Sequence, residues 1–409
     1  MRILYIAYAA SPYGGSEEAL GWSLPLAMSR IEGNEVHLIT KVEQREAVED
    51  YLAKHPETRL TVSFCDIPSF YKKVFKGYLY PGRHGIWLKR VAPMVQELDA
   101  NRHFDVIHQI APVEFRSLGR FTPTKALTVA GPQGGAEYAP KALAGYLRPV
   151  ASFELVRKLS NWLIVRSPGF RKSYRGFDIH LLANYETQRF LVKHGLREAA
   201  DAIVKTEVGC WASAWHGHGQ DTHEVPHILY AGRLIPRKGV ELLVDVCTEL
   251  KGVCDFELRI VGEGHLHEAL ARKIAERGLS NVTLVGAVDH ATMAEQYAWA
   301  DFFVMPSVRE TTGTVLGEAM QNGLPLITFA QDGACVALND TVCQFVPVDS
   351  GAHGFAEAMR LWVEHPESRP NRDAIRKVFK SLTWEERAHW YMDLYRKHIE
   401  IDATRGGGQ

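Results

Sequence analysis

Two glutamates eight residues apart, Glu310 and Glu318, are the residues of this 409-residue chain whose type and spacing most clearly invite chemistry. They lie between Asp301 and Leu326, where an apolar strand ends at Met305-Pro306-Ser307, a loop follows, and a helix begins near Thr314. On one continuous helix the two would stand ~12 Å apart. With Glu310 in the loop and Glu318 one turn inside the helix, both can border one ligand. A helix start presents unpaired N–H groups and the positive end of a dipole, which suits phosphate. Gly313 lets a ligand approach the backbone. On this reading Glu318 accepts hydrogen bonds from ribose hydroxyls and Glu310 faces a transferred sugar. The plainer alternative is a helix start flanked by dipole-compensating acids, and for Glu318 alone that alternative is the better one.

A second cluster is Tyr230-Ala-Gly232-Arg233-Leu-Ile-Pro236-Arg237-Lys238-Gly239, after a strand and before a helix. Open α/β sheets bind ligands at that edge. Arg233 as a fork and Lys238 as a point charge suit a diphosphate, although a basic surface loop reads equally well. Gly262-Glu263-Gly264 lacks the third glycine of a dinucleotide fingerprint, and a tight turn suffices to explain it. Gly14-Gly15-Ser16-Glu17 offers an N-cap at Ser16 and glycines that admit a phosphate or sugar. There is no P-loop and no D-x-D pair, which disfavours a metal-dependent nucleotide-sugar site. His216, His218 and His223 read as a solvated linker, since no Cys or acid at ligand spacing accompanies them. No metal and no cofactor is expected.

These groups need elements to hold them. Strand patterns fall at Ile3–Tyr8, Val36–Thr40, Leu60–Phe64, Asp105–His108, Ala126–Ala130 and Ile179–Leu182. A second series covers His227–Ala231, Phe256–Val261, Val282–Val285, Asp301–Met305 and Leu326–Phe329, with amphipathic segments between. Near-continuous apolar strands alternating with helices predict α/β architecture with parallel sheets covered on both faces. Two series predict two doubly wound domains, 1–209 and 226–383, with 210–225 as linker. Pro25 predicts a kink in the first helix. The apolar start reads as a buried strand rather than a leader, because its basic flank is one arginine and its apolar run is short. Trp384–Ile399 reads as a final helix, followed by a disordered glycine-rich tail.

The net charge of −1 implies no global attraction to nucleic acid. It conceals an asymmetry. Segment 69–91 carries six Lys/Arg and no acid, and 141–177 carries eight against Glu154 alone. The basic, aromatic stretch Tyr71–Arg90 suits an anionic lipid surface as well as it suits a solvated face. Six cysteines without a C-x-x-C pair read as reduced, mostly buried thiols of a cytoplasmic protein. No apolar run nears the ~18 residues of a membrane span.

The chain resembles the retaining glycosyltransferases of family 4, of the bacterial cell-surface and exopolysaccharide type. The resemblance rests on Gly14-Gly15-Ser16, Phe104-Asp105-Val106-Ile107-His108, Gly232-Arg233…Arg237-Lys238-Gly239, Ile260–Gly264, Gly286-Ala287-Val288, and Glu310-x7-Glu318 with Ala319-Met320 and Gly323-Leu324-Pro325. It implies the GT-B fold, two facing Rossmann-like domains with the terminal helix crossing back to the first. It implies transfer of a sugar from a nucleotide diphosphate, UDP-sugar favoured and GDP-mannose the alternative, to a glycan or lipid-linked acceptor. Arg233 and Lys238 would clamp the diphosphate with the backbone of Gly15, Thr314 and Val315, near Gly313 and Gly264. Val288 would read the base, Glu318 bind the ribose, and Glu310 act at the donor sugar. The family's second motif histidine is Ile110 here, which leaves His108 as the catalytic candidate of that motif, although a buried structural histidine is the better reading of it. Gln133 and Gly134, in a loop like an insert of some members, would shape an acceptor or sugar pocket. A sugar-nucleotide epimerase and a non-catalytic nucleotide-sugar binding protein are the rival readings. The implied location is cytoplasmic, with peripheral contact to the inner membrane face as a partner expectation.

Overall fold

The computed structural model describes residues 1–15, 17–76, 82–122, 125–206, 209–212, 223–311 and 313–406, with backbone alone at 290 and 402–406. The expected cap at Ser16, the histidines His216 and His218, Tyr78 and the extreme tail lie outside the described residues. The chain divides into two compact units.

The first unit comprises Met1–Ala136, Leu155–Gly209 and Thr383–Gln409. Its strands are β1 (Arg2–Ala7), β2 (Glu35–Lys41), β3 (Leu60–Cys65), β4 (Val106–Ala111), β5 (Leu127–Gln133), β6 (Ile179–Leu182) and β7 (Ile203–Val204). They form a parallel sheet in the order β3-β2-β1-β4-β5-β6-β7. The central strands β1 and β4 are buried on both faces, which is why they read as unbroken apolar runs. Helix Glu17–Arg30 continues through Pro25. The helix Trp384–Gly406 belongs to this unit. There Arg387 Nη1 donates to the Thr206 carbonyl at 2.6 Å and Asn34 Nδ2 meets Met392 Sδ at 3.3 Å.

The second unit comprises Glu137–Glu154 and Cys210–Leu382. Its strands are β8 (His227–Ala231), β9 (Glu257–Val261), β10 (Val282–Gly286), β11 (Phe302–Met305), β12 (Leu326–Phe329) and β13 (Cys343–Val346), parallel in the order β10-β9-β8-β11-β12-β13. The pattern of strands had placed residues 137–154 in the first domain. They group with the second because Leu143 and Leu147 pack into its core beside Tyr230, Leu234 and Val308. Fully burying a side chain of that size contributes ~1.5–3 kcal/mol, which outweighs proximity in sequence. In both sheets strand order reverses beside the first strand, so loops leaving the carboxyl ends diverge there and leave room for a ligand.

Candidate functional site

At the carboxyl edge of the second sheet, the loop after β8 carries Arg233, Arg237 and Lys238, and the loop after β11 carries Ser307 and Glu310. Gly239 explains how they come together. It is left-handed, at φ 71°, and a Cβ there would lie 1.8 Å from the Pro306 carbonyl oxygen. Only a residue without a side chain allows that approach. Val308 N and Arg309 N then donate to the Arg237 carbonyl at 2.9 and 3.2 Å.

Glu310 is buried at the centre. Lys238 Nζ donates to its Oε2, and Arg237 Nη1 stands 3.4 Å from Oε1. Ser307 Oγ and Thr311 N add hydrogen bonds at 3.3 Å each. Gln331 braces the loop, accepting from Glu310 N at 3.2 Å and donating to the Ser307 carbonyl at 2.5 Å. Arg233 lies beside this group, exposed, with no ion pair or side-chain hydrogen bond among the described residues.

Three cations thus face one carboxylate. Burial pushes the Glu310 carboxyl up, but Lys238 and Arg237 outweigh it and hold the group down at about 2. Lys238 is shifted downward by burial and by the charges of Arg237 and Arg233, against the pull of Glu310. Arg233, exposed but partly desolvated at its guanidinium, is lowered by that desolvation and by Arg237. Three cations around one carboxylate leave the site with net positive charge. The sequence reading had paired Arg233 with Lys238 but gave Arg237 no role, since its approach to Glu310 spans 73 residues and leaves no local signal.

Glu318 sits one turn into the helix Val315–Gln321, half-buried, and its Oε2 accepts from Tyr297 OH at 2.7 Å. Tyr297, on the helix His290–Trp299, is a partner the spacing had not suggested. Thr314 and Val315 form the start of that helix, and Gly313 before them is left-handed. Val288, just past β10, packs its side chain against the core. Gly264 has a tight-turn reason to be glycine, because a Cβ would come within 2.3 Å of the Leu234 carbonyl oxygen.

In the first unit His108 takes the buried structural place and not the catalytic one. It is wholly buried, its Nε2 donating to the Gly131 carbonyl and its Nδ1 accepting from Tyr395 OH, each at 2.7 Å. Tyr5 OH lies 3.1 Å from Tyr395 OH. Both ring nitrogens are engaged, and burial pushes the imidazole down to about 3. His108 touches no surface and ties β4 to β5 and to the terminal helix. Ile110 is buried too. Gly15 lies exposed in the loop after β1. Gln133 ends β5, buried, with an Oε1 that has no hydrogen-bond partner among the described residues, and Gly134 follows.

A polar cluster the sequence reading missed lies at the carboxyl edge of this sheet. Glu114, three residues past β4, receives His84 Nδ1 at 2.8 Å, Ser117 Oγ at 2.5 Å and Arg116 Nη2 at 2.5 Å. Burial would raise its carboxyl, yet the His84 hydrogen bond and the Arg116 charge hold it down at about 2. Glu17 is raised by burial while accepting from Val113 N at 2.7 Å. Their sequence positions range from 17 to 117, so no motif announces them.

His223 corrects another expectation. It is no solvated linker residue: its Nδ1 lies 3.0 Å from Oδ2 of buried Asp301, which also accepts from His227 N at 2.7 Å. His223, His227 and Asp301 bring potential ligand atoms within 4.8 Å of one another. They lie at the amino ends of β8 and β11, the edge opposite Lys238 and Glu310. The two imidazole centroids lie 3.8 Å apart with their planes tilted by 32°.

Residues 216–377 match the family described as Glycosyl transferases group 1. The chain is 28% identical over 244 residues to a glycogen synthase of Halorhodospira halophila, a match covering 56% of this chain and 46% of that protein. The chain thus spans less than half the length of such relatives. Among solved structures, sucrose-phosphate synthase of Thermosynechococcus elongatus superposes over 98% of this chain and 99% of its own, with TM-score 0.64 and 18% identity. Anabaena Alr3699/HepE, in complex with UDP and glucose, covers 96% of this chain and 99% of its own, with TM-score 0.59 and 14% identity. The fold is that of GT-B glycosyltransferases, two Rossmann-like units in one chain, and the second unit carries a group 1 glycosyltransferase domain.

Proposed function

We propose that the chain is a retaining, metal-independent glycosyltransferase. It takes a sugar from a nucleotide diphosphate, a UDP-sugar in first preference and GDP-mannose in second, and passes it to a hydroxyl of a glycan or lipid-linked acceptor. The observation that carries this reading is the cluster of Arg233, Arg237 and Lys238 around the single carboxylate of Glu310, with Arg233 unengaged. Breaking an anomeric C–O bond leaves growing charge on a diphosphate. Fixed cations in a partly buried site stabilise that charge without reorganising, and losing one such donor commonly costs ~3 kcal/mol. The backbone N–H groups of Thr314 and Val315 add to the same anion grip, and Val288 offers backbone to the base. Glu318, oriented by Tyr297, takes the ribose hydroxyls. Glu310 stays ionised, aims Lys238, and presents its charge toward the donor sugar as positive charge develops at the anomeric carbon.

On the first unit, buried Gln133 with its unengaged Oε1 and the loop at Gly134 receive an acceptor or sugar hydroxyl. His84, steered by Glu114, takes the orienting role that Ile110 cannot fill. The acceptor proton passes to the leaving phosphate on the same face. Complexes of Alr3699/HepE with UDP and glucose favour the donor class. An acceptor borne on a lipid would be met at an anionic bilayer surface. Incubation with UDP- and GDP-sugars plus lipid-linked or glycan acceptors, with the product anomer read by NMR, tests the reading. Retained configuration with acceptor-dependent release of nucleotide supports it. A changed sugar formed from donor alone would make the chain an epimerase, and binding without turnover would make it a carrier.

A further inference from the structure

The helix Ala151–Arg166 is amphipathic the wrong way round. Its buried ridge is Glu154, Arg157, Asn161 and Val165, three or four residues apart. Arg157 Nη1 and Asn161 Nδ2 both donate to the Gly135 carbonyl, at 2.9 and 3.0 Å, and Arg116 Nη1 donates to Asn161 Oδ1 at 3.2 Å. At 3.6 residues per turn the opposite side carries Leu155, Val156, Leu159, Trp162 and Leu163. All five are exposed, Leu155 by 68% and Leu159 by 55%. Arg166 lies over the Trp162 ring at 4.2 Å.

From Leu155 to Gly176 the chain holds six Lys/Arg and no acid. Past the helix end, Arg171, Lys172 and Arg175 line a shallow recess of about 510 Å³ with Pro168 and Gly176. Arg175 is paired with Glu198 and Arg171 with backbone carbonyls, while Lys172 is exposed and has no partner among the described residues.

We propose that this helix is the element that docks the protein on an anionic phospholipid bilayer. A convex apolar ridge bearing tryptophan and rimmed by cations fits the boundary between acyl chains and phosphate headgroups. Charge selects this occupant over a second copy of the chain, since Arg166 and Lys172, which no acid neutralises among the described residues, would repel their counterparts in a second copy. In the stretch 69–91, Lys72 is already neutralised by Glu43 at 2.8 Å and Asp66 at 2.6 Å. Because Arg157 and Asn161 are fastened to Gly135, next to Gln133 and Gly134, docking would hold the acceptor loop beside the bilayer. That last step rests on the proposed acceptor role of the loop; docking itself does not.

The test is flotation of the full chain with phosphatidylglycerol-containing and pure phosphatidylcholine vesicles at low and high salt, alongside UDP titration and size-exclusion chromatography. The wild type should float with the anionic vesicles only, and less at high salt. Leu159→Ser/Leu163→Ser should lose on the order of tenfold or more in partitioning. Arg166→Glu/Lys172→Glu should lose binding while retaining the apolar ridge, and Phe70→Ser/Val74→Ser should change it little. Absence of wild-type flotation, or equal flotation of the Leu159/Leu163 variant, overturns the proposal. So does a wild-type dimer that this variant converts to monomer. Flotation without any nucleotide binding would leave docking standing and remove the proposed enzymatic reading instead.

Discussion

Lys238 and Glu310, 72 positions apart, form a buried ion pair in which the carboxylate is outnumbered. The pair is asymmetric. Without Lys238, Glu310 keeps Arg237, Ser307 Oγ and Thr311 N. Without Glu310, clustered cations lose the carboxylate between them. Breaking a buried pair costs about 3–5 kcal/mol when it strands a charge. Glu310→Gln should therefore destabilise more than Lys238→Met in urea unfolding, and the double variant should recover part of the loss. Equal losses, simply added, would mean the pair is not coupled as described.

The same pair predicts an acid limb. The Glu310 carboxyl sits at about 2 in the folded protein against 4.5 when unperturbed. The unfolded chain thus binds the proton more readily across that window. Stability from this group is complete above about 4.5 and fades as pH falls toward 2. Glu310→Gln should flatten that part of a stability-versus-pH curve; an unchanged slope would contradict the assignment.

His108 gives a second limb with its own window. Its folded value of about 3 lies below the ordinary 6.5. Between these the unfolded chain takes up the proton and the folded one does not. The contribution is complete above about 6.5 and is lost as pH falls toward 3. His108→Gln should reduce the slope below pH 6.5, where His37 and His180 also contribute, and lower the melting temperature. It should leave KM for donor near its original value, because His108 is placed to hold Gly131 and Tyr395 rather than substrate.

Tyr297 should matter through Glu318. Tyr297→Phe removes the hydrogen bond at 2.7 Å that aims the carboxylate. Hydrogen bonds to charged groups are worth ~1.5–3 kcal/mol, so preference for UDP over 2′-deoxy-UDP should fall by roughly tenfold in competition titrations. Unaltered preference would separate Glu318 from the ribose.

What could be read in advance follows from how information is stored along the chain. All eleven strand patterns correspond to strands, because parallel strands buried on both faces must be apolar throughout. The two edge strands without a prior signal are Ile203–Val204, only two residues long, and Cys343–Val346, which Gln344 interrupts. Helix Ala151–Arg166 is opaque for the opposite reason: its spacing marks an amphipathic helix but not which face is covered. Loop residues such as Arg233 and Lys238 were visible because local glycine and charge patterns mark a strand-to-helix turn. Arg237 on Glu310, Tyr297 on Glu318 and His84 on Glu114 were not, since each depends on tertiary register. His108 was legible as a buried histidine because it ends an unbroken apolar run, whereas its tie to Tyr395, 287 residues away, was not.

The account depends most on Arg233, the cation that is poised and unengaged. Isothermal titration of UDP and GDP into wild type and Arg233→Ala addresses it directly. Arg233 is exposed, so its removal should leave the melting temperature within about a degree or two. Nucleotide diphosphate affinity should fall about 10- to 100-fold, the loss of one charge-assisted contact. Equal affinity in the two proteins, or no binding of either nucleotide to the wild type, would contradict a diphosphate site at this edge of the sheet.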